Sequence, residues 1–204
     1  MKTNPAKILS VLLHPLLMPT AGLLILFNSG SIYEFLSFPA KRVIFIIVLL
    51  CTVVLPLTFV PFYIFQKIIK NLQMDDRKER LIPFFVTFIL YLFCYYLLVR
   101  LQAPEIKTIV NFILIGSIST LLIFGLSFRW KISAHMTGIG AMLGSLIAFS
   151  FILKVNLEIY IIITIVLSGI LGYSRLILNK HKAYQIYSGW GLGLIVSLVL
   201  LLFF

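Results

Sequence analysis

Residues 136–173 read "MTGIGAMLGSLIAFSFILKVNLEIYIIITIVLSGILGY", two almost purely apolar runs joined only by "KVN" at residues 154–156. Each run approaches the roughly 20 residues that an α-helix needs to cross the hydrocarbon core of a bilayer. Three residues between them are enough for a tight turn but not for a loop with structure of its own. The stretch therefore predicts two short transmembrane helices that form a hairpin.

The same pattern of apolar runs and short polar breaks extends along the chain. Of the 204 residues, 61% are hydrophobic and only 11% are charged, which is typical of a chain whose solvent is lipid. We therefore predict an all-α, polytopic transmembrane helical bundle of six to seven spans, with residues 1–204 as a single transmembrane domain. We expect an integral membrane protein of the bacterial inner (cytoplasmic) membrane. The seven candidate runs are Ile8–Phe27, Val43–Phe65, Leu81–Val99, Ile106–Phe128, Met136–Leu153, Leu157–Tyr173 and Ile186–Phe204.

Composition also excludes several classes of protein. The formal net charge of +11 could suggest nucleic acid, but in so apolar a chain the cations are better matched to anionic lipid headgroups or a phosphorylated ligand. We expect no nucleic-acid partner. Cys51 and Cys94 both lie within apolar runs, so neither a disulfide framework nor a cysteine metal site is indicated. The first run contains "HPLLMP" and no small-residue cleavage site follows it, so we expect a retained span.

The cations are distributed unevenly between the two sides of a seven-span arrangement. Twelve of the 17 Lys and Arg residues fall on one side and five on the other. The positive-inside rule would place the richer side in the cytoplasm. Cations that bind phosphate need not follow this rule, so the sequence does not fix the orientation of the protein in the membrane. The richer side holds Lys2, Lys7, Lys67, Lys70, Arg77, Lys78, Arg80, Arg129, Lys131, Arg175, Lys180 and Lys182.

Residues with phosphoryl-transfer chemistry lie at the helix ends on that side. Arg175 offers a planar fork matched to phosphate oxygens, and the amino end of the helix that begins near His135 offers free N–H groups. One imidazole can attack phosphorus while a second protonates the departing oxygen. Ser133, His135, Arg175 and His181 would thus surround one small volume in a scheme that needs no metal and no cofactor.

The motifs that contain these residues resemble signatures of the type 2 phosphatidic acid phosphatase superfamily. "SRLILNKH" is similar to its third signature, Ser-Arg, five residues, His, three residues and Asp: Ser174, Arg175 and His181 match, and Gln185 stands at the Asp position. "ISAH" resembles the second signature, Pro-Ser-Gly-His, with Ser133 and His135 in place. The resemblance places the catalytic core in residues 129–204.

The first signature, Lys, six residues and Arg-Pro, is matched more loosely near residues 70–83. Lys70 and Arg77 have the right separation, although Lys78 stands where the family has Pro. Arg80 with Pro83 is an alternative, and the choice among these cations stays open.

The resemblance implies a role for each of these residues. His181 would be the nucleophile, His135 the general acid, and Arg175, Ser133, Lys70 and either Arg77 or Arg80 would hold the phosphoryl group. In the family the Asp orients the nucleophilic histidine. Gln185 could accept a hydrogen bond from the ring without supplying charge, and Asp76, or its neighbours Asp75 and Glu79, could supply the missing acid.

The implied activity is metal-independent hydrolysis of a lipid phosphate or diphosphate of the phosphatidate, phosphatidylglycerophosphate or polyprenyl diphosphate type. The expected partners are this phospholipid or isoprenoid phosphate substrate and the surrounding membrane lipids, and the sequence does not identify protein partners. The alternative is a catalytically silent relative that binds anionic lipid or stabilises a membrane complex.

Two further features of the sequence lie outside the signatures. His14 is an ionisable residue near one end of a span and matches no family pattern. The glycines of the fifth and seventh apolar runs predict close contacts between helices: Gly138, Gly140, Gly144, Gly189, Gly191 and Gly193.

Overall fold

The computed structural model describes residues 5–71, 74 and 76–204, and within these ranges the regular structure is entirely helical. Lipid offers no hydrogen bonds to the backbone, so a chain this apolar must satisfy its own N–H and C=O groups, and helices do so locally. The nine α-helices within the described ranges are α1 Pro5–Leu12, α2 Met18–Phe27, α3 Phe38–Leu49, α4 Leu55–Phe65, α5 Leu81–Arg100, α6 Lys107–Ser127, α7 Ala134–Leu153, α8 Glu158–Ile177 and α9 Ala183–Phe203.

In the part of the chain that the structure describes, seven helical segments are long and apolar enough to cross a membrane, which confirms the predicted polytopic bundle. The first, Pro5–Phe27, combines α1 and α2, and the second, Phe38–Phe65, combines α3 and α4. In the second, a π-helical turn at Leu50–Val54 precedes Pro56. The other five are Lys78–Arg100, Pro104–Ser127, Ala134–Leu153, Glu158–Ile177 and Ala183–Phe203.

The fifth and sixth spans form the predicted hairpin but are longer than expected. Each has 20 residues, because the polar residues at the start of α7 and the end of α8 are helical as well. At the turn, Lys154 adopts a left-handed conformation with φ of 52°, which ends α7 abruptly. The Asn156 side chain then accepts a hydrogen bond from the Glu158 N–H at 2.9 Å and begins α8.

Helix α7 lies at the centre of the bundle. In its most apolar stretch 61% of the residues are buried, against 17–39% in the other six spans. Its closest neighbour is α9, and a Cβ atom at Gly140 or Gly144 would collide with carbonyl groups of Trp190 or Leu194. The predicted glycine contacts are confirmed there, whereas Gly191 faces open space.

Alternating helix directions bring three polar breaks to the same end of the bundle. The Arg77 guanidinium donates a hydrogen bond to the Arg129 carbonyl at 2.5 Å and so joins the break after α4 to the break after α6. The Ser133 N–H donates to the Gln185 carbonyl at 3.3 Å and joins the start of α7 to the start of α9. The sequence clusters near residues 70–83, 129–135 and 174–185 therefore meet.

Candidate functional site

His181 lies in the short break between α8 and α9. The chain leaves α8 through Asn179, whose φ of 52° is left-handed, a conformation that Asn adopts more readily than most residues. The turn directs His181 inward, and its side chain is buried although the neighbouring Lys182 is exposed.

Gln185 fixes which nitrogen of the His181 ring carries the proton. The Gln185 side-chain oxygen accepts a hydrogen bond from the Lys182 N–H at 3.1 Å and lies 3.2 Å from His181 Nδ1. A side-chain amide oxygen carries no hydrogen and can only accept, so the Nδ1 atom of His181 donates. The lone pair of the neutral imidazole is therefore on Nε2.

The surroundings of His181 favour this neutral form. Burial, followed by the charges of Arg80 and Arg175 and to a smaller extent that of Lys131, lowers the pKa of His181 from its ordinary 6.5 to about 3, although the hydrogen bond to Gln185 acts in the opposite direction. At neutral pH the ring is uncharged and can act as a nucleophile at Nε2.

Arg175 is buried at the carboxyl end of α8, one helical turn before the break. Its Nη1 lies 3.4 Å from the Ser10 hydroxyl of α1. The Ser10 hydroxyl in turn donates to the Ala6 carbonyl at 2.9 Å and so has a lone pair available for the guanidinium. The first span thus reaches the site and contacts one of its cations.

His135 occupies the first turn of α7. Its Nε2 lies 3.0 Å from the Ser10 carbonyl oxygen, and its ring meets the His14 ring edge-on at a centroid distance of 5.2 Å. His135 is also within electrostatic range of Arg175 and His181. The two predicted catalytic histidines therefore lie at the same end of the bundle and around the same guanidinium.

Ser133 precedes α7 and is fully buried, yet its hydroxyl has no hydrogen-bond partner among the described residues. It occupies the N-cap position without capping the helix. A buried polar group without a partner costs free energy, so a ligand that accepts its hydrogen bond would be favoured. The amino end of α7 adds a positive dipole at the same place.

The structure separates the alternatives for the first motif. Lys70 is 83% exposed and lies 4.0 Å from Glu79, and Arg77 is exposed and bound to the Arg129 carbonyl. Arg80 is buried, donates through Nε to the Met74 carbonyl at 2.8 Å, and acts on His181 through its charge. Arg80 is thus the cation of residues 70–83 that lies beside the histidine.

Of the carboxylates proposed as acid partners of His181, the two that the structure describes contact other residues. The Asp76 carboxylate accepts a hydrogen bond from the Lys78 N–H at 3.2 Å, and Glu79 faces Lys70. Asp75 lies outside the described residues. Within the described ranges, Gln185 is the side chain that hydrogen-bonds to His181.

Three residues that the motifs did not include also lie at the site. Ser10 and His14 come from the first span, and Lys131 comes from the break before α7. The only sequence signal for His14 is an ionisable side chain in a span, next to a proline. The other two carry no signal that distinguishes them from ordinary span and interface residues.

Comparisons with protein-family models, with curated proteins and with solved structures find no match for this chain.

Proposed function

We propose that this protein is a membrane-embedded phosphatase that hydrolyses a lipid phosphate or diphosphate through a phosphohistidine on His181. The observation that carries the proposal is the His181–Gln185 hydrogen bond, which leaves a lone pair on Nε2 of a neutral imidazole beside two buried arginines. A nucleophile of this kind needs an uncharged nitrogen and cations that attract the phosphoryl group.

The first step transfers the phosphoryl group to the enzyme. His181 Nε2 attacks phosphorus, the bond from phosphorus to the lipid oxygen breaks, and the departing oxygen takes a proton from His135. Because His135 Nε2 donates to the Ser10 carbonyl, the resting neutral ring has its lone pair on Nδ1. Nδ1 takes the proton of the singly protonated lipid phosphate when the substrate binds, and it then delivers this proton to the departing oxygen. Arg175 and Arg80 would balance the charge on the phosphoryl oxygens, with the Ser133 hydroxyl as a further donor.

The second step restores the enzyme. Water attacks the phosphohistidine, the phosphorus–nitrogen bond breaks, and inorganic phosphate leaves. His135, now neutral, accepts the proton of the attacking water at Nδ1 and passes it to the departing phosphate, so its ring returns to the resting neutral form. The Nδ1 proton of His181 remains on the hydrogen bond to Gln185 throughout, so His181 returns to its starting tautomer.

Phosphatidate, phosphatidylglycerophosphate and polyprenyl diphosphate are the proposed substrate types, and the bacterial inner membrane is the proposed location. These substrates combine a phosphorylated headgroup with apolar chains. The site has matching surroundings, because its cations lie at one end of spans that are otherwise apolar.

A catalytically silent lipid-binding relative is the second candidate, and one observation favours it. Gln185 is neutral, so it orients the imidazole without stabilising the positive charge that develops during attack. Neutralising the corresponding acid in serine proteases lowers the rate by about 10⁴-fold, although part of that loss is a change of tautomer. Here the Gln185 oxygen supports the required tautomer.

The test is phosphate release by purified protein reconstituted in lipid vesicles that contain each of the three substrate types. Wild type should release phosphate from at least one, and His181→Ala should reduce release to background while still binding the lipid. Lys182→Ala is the matched control, since it removes an exposed cation next to His181 and should retain activity. Lipid binding without release in wild type would favour the silent relative.

A further inference from the structure

The first span is broken beside the site, at His14 and Pro15. Proline has no N–H and disfavours a helical conformation in the residue before it. Helix α1 accordingly ends at Leu12, and His14 is extended, with φ of −67° and ψ of 137°. The His14 N–H turns back to the Val11 carbonyl at 3.2 Å.

This break makes the Ser10 carbonyl available to His135. In a continuous helix the Ser10 carbonyl would accept from the N–H of His14, four residues later. Here that N–H is bonded to Val11, and the Ser10 carbonyl lies 3.0 Å from His135 Nε2. A carbonyl oxygen only accepts, so Nε2 must donate and the neutral ring of His135 keeps its lone pair on Nδ1.

The His14 ring is itself held in place and restricts the ring of His135. His14 Nδ1 accepts a hydrogen bond from the Leu16 N–H at 3.3 Å, which caps the short helical turn Pro15–Leu17. The two imidazoles meet at an interplanar angle of 80°. An edge-on contact of this kind resists rotation of either ring.

We propose that His14 is a positioning residue for His135, and that the broken segment Ser10–Pro15 fixes the orientation and tautomer of that ring. The catalytic consequence rests on the function proposed above, because Nδ1 is the nitrogen that would exchange a proton with the lipid oxygen. None of the signatures includes the first span. Among the described residues, the charged or titratable groups that act on His135 are Arg175 from α8, His181 from the break before α9, and His14.

A pair of variants separates the two interactions of His14. His14→Asn removes the ring but keeps an acceptor for the Leu16 N–H, since Asn is a favoured capping residue. His14→Phe keeps an aromatic ring against His135 but removes that acceptor. Because the chain has only three histidines, selective ¹⁵N labelling of histidine gives a spectrum in which each ring can be assigned by substitution.

The first measurement is the ¹⁵N spectrum of the detergent-solubilised protein at neutral pH and does not require enzymatic activity. In wild type, His135 should show a protonated Nε2 and an unprotonated Nδ1. His14→Phe should preserve this pattern, and His14→Asn should move both nitrogens towards the average of two tautomers. Unchanged His181 signals would show that the site remains folded.

Identical His135 signals in wild type and His14→Asn would overturn the proposal, as would an equal change in both variants. Pro15→Ala provides a second route if His14→Asn does not fold. It allows the helix to continue, so the His14 N–H should take the Ser10 carbonyl and the His135 pattern should change. An unchanged pattern in folded Pro15→Ala would contradict the role of the break.

The second measurement compares substrates with different leaving groups. General acid catalysis matters most for a poor leaving group, so His14→Asn should lower kcat/KM, which reports the steps through departure of the leaving group, by about 10- to 100-fold for an alkyl lipid phosphate. It should change kcat/KM little for p-nitrophenyl phosphate, whose leaving group needs no proton. Equal losses on both would contradict the link to His135. If wild type hydrolyses neither, the proposed function fails, while the nitrogen spectra still decide the role of His14.

Discussion

The side-chain oxygen of Gln185 lies 3.2 Å from Nδ1 of His181 and accepts a second hydrogen bond from the backbone next to that histidine. The first turn of α9 thereby both begins a helix and orients a buried imidazole. A neutral amide can fix the tautomer of the ring, but it cannot balance an imidazolium charge.

Gln185→Asp should raise the rate of phosphate release. A carboxylate at this position would accept the same Nδ1–H and stabilise the positive charge that forms on His181 during attack. We expect an increase of about 10-fold or more in kcat, and Gln185→Ala should lower kcat because the ring is no longer oriented. An unchanged rate in Gln185→Asp would indicate that an acid outside the described residues, such as Asp75, already has this role.

Arg175→Ala should weaken substrate binding and slow the reaction together. The guanidinium is buried beside both histidines and would contact the phosphoryl group in the ground state and in the transition state. Arg175→Lys should recover only part of the loss, because an ammonium cannot form the bidentate contact. KM and kcat measured for the three proteins check this, and a change in KM alone would contradict it.

The folded protein should become less stable in mild acid, because the His181 side chain takes up a proton more readily in the unfolded chain. Its pKa is about 3 in the folded protein and near the ordinary 6.5 when unfolded. The unfolded chain therefore binds the proton more readily, and the stabilisation present above pH 6.5 is lost progressively as the pH falls towards 3. His181→Asn removes this pH-dependent contribution to the free energy of unfolding, so the Tm of the variant in detergent should depend less on pH between 7.5 and 5. The same pH dependence in both proteins would contradict the assignment.

The contact between α7 and α9 should not tolerate a side chain at Gly193. A Cβ atom there would collide with the Thr137 carbonyl of α7 and would displace α9, which carries Gln185. We expect Gly193→Ala to lower the free energy of unfolding by about 1–3 kcal/mol. Gly191→Ala is the matched control, since nothing lies within 4 Å of its Cβ position. Equal Tm values for the two variants would count against this packing.

Much of the fold could be predicted from the sequence because membrane spans depend on local composition. The seven apolar runs correspond to the seven spans, and "KVN" forms the expected turn. The ends of α7 and α8 were less predictable. Polar residues such as His135 and Arg175 continue a helix when neighbouring spans supply their hydrogen-bond partners, and hydropathy does not report such partners.

Site residues could be predicted where a signature fixes their spacing. They could not be predicted where tertiary contacts determine which side chain faces the site. The separation of Lys70 and Arg77 fits the first signature better, yet Arg80 is the cation that is buried beside His181. Which side of a short helical turn faces the bundle depends on packing against other spans. The same applies to Ser10, whose carbonyl becomes available only because Pro15 interrupts the helix.

The central claim is that His181 carries the phosphoryl group, and a labelled intermediate tests it most directly. Reconstituted protein is mixed with a lipid phosphate labelled with ³²P in the headgroup, quenched rapidly in alkali, which preserves phosphohistidine, and digested. We predict label on the peptide that contains His181, in wild type and Gln185→Asp but not in His181→Ala. Continued hydrolysis by His181→Ala, with no label on that peptide in wild type, would contradict the account.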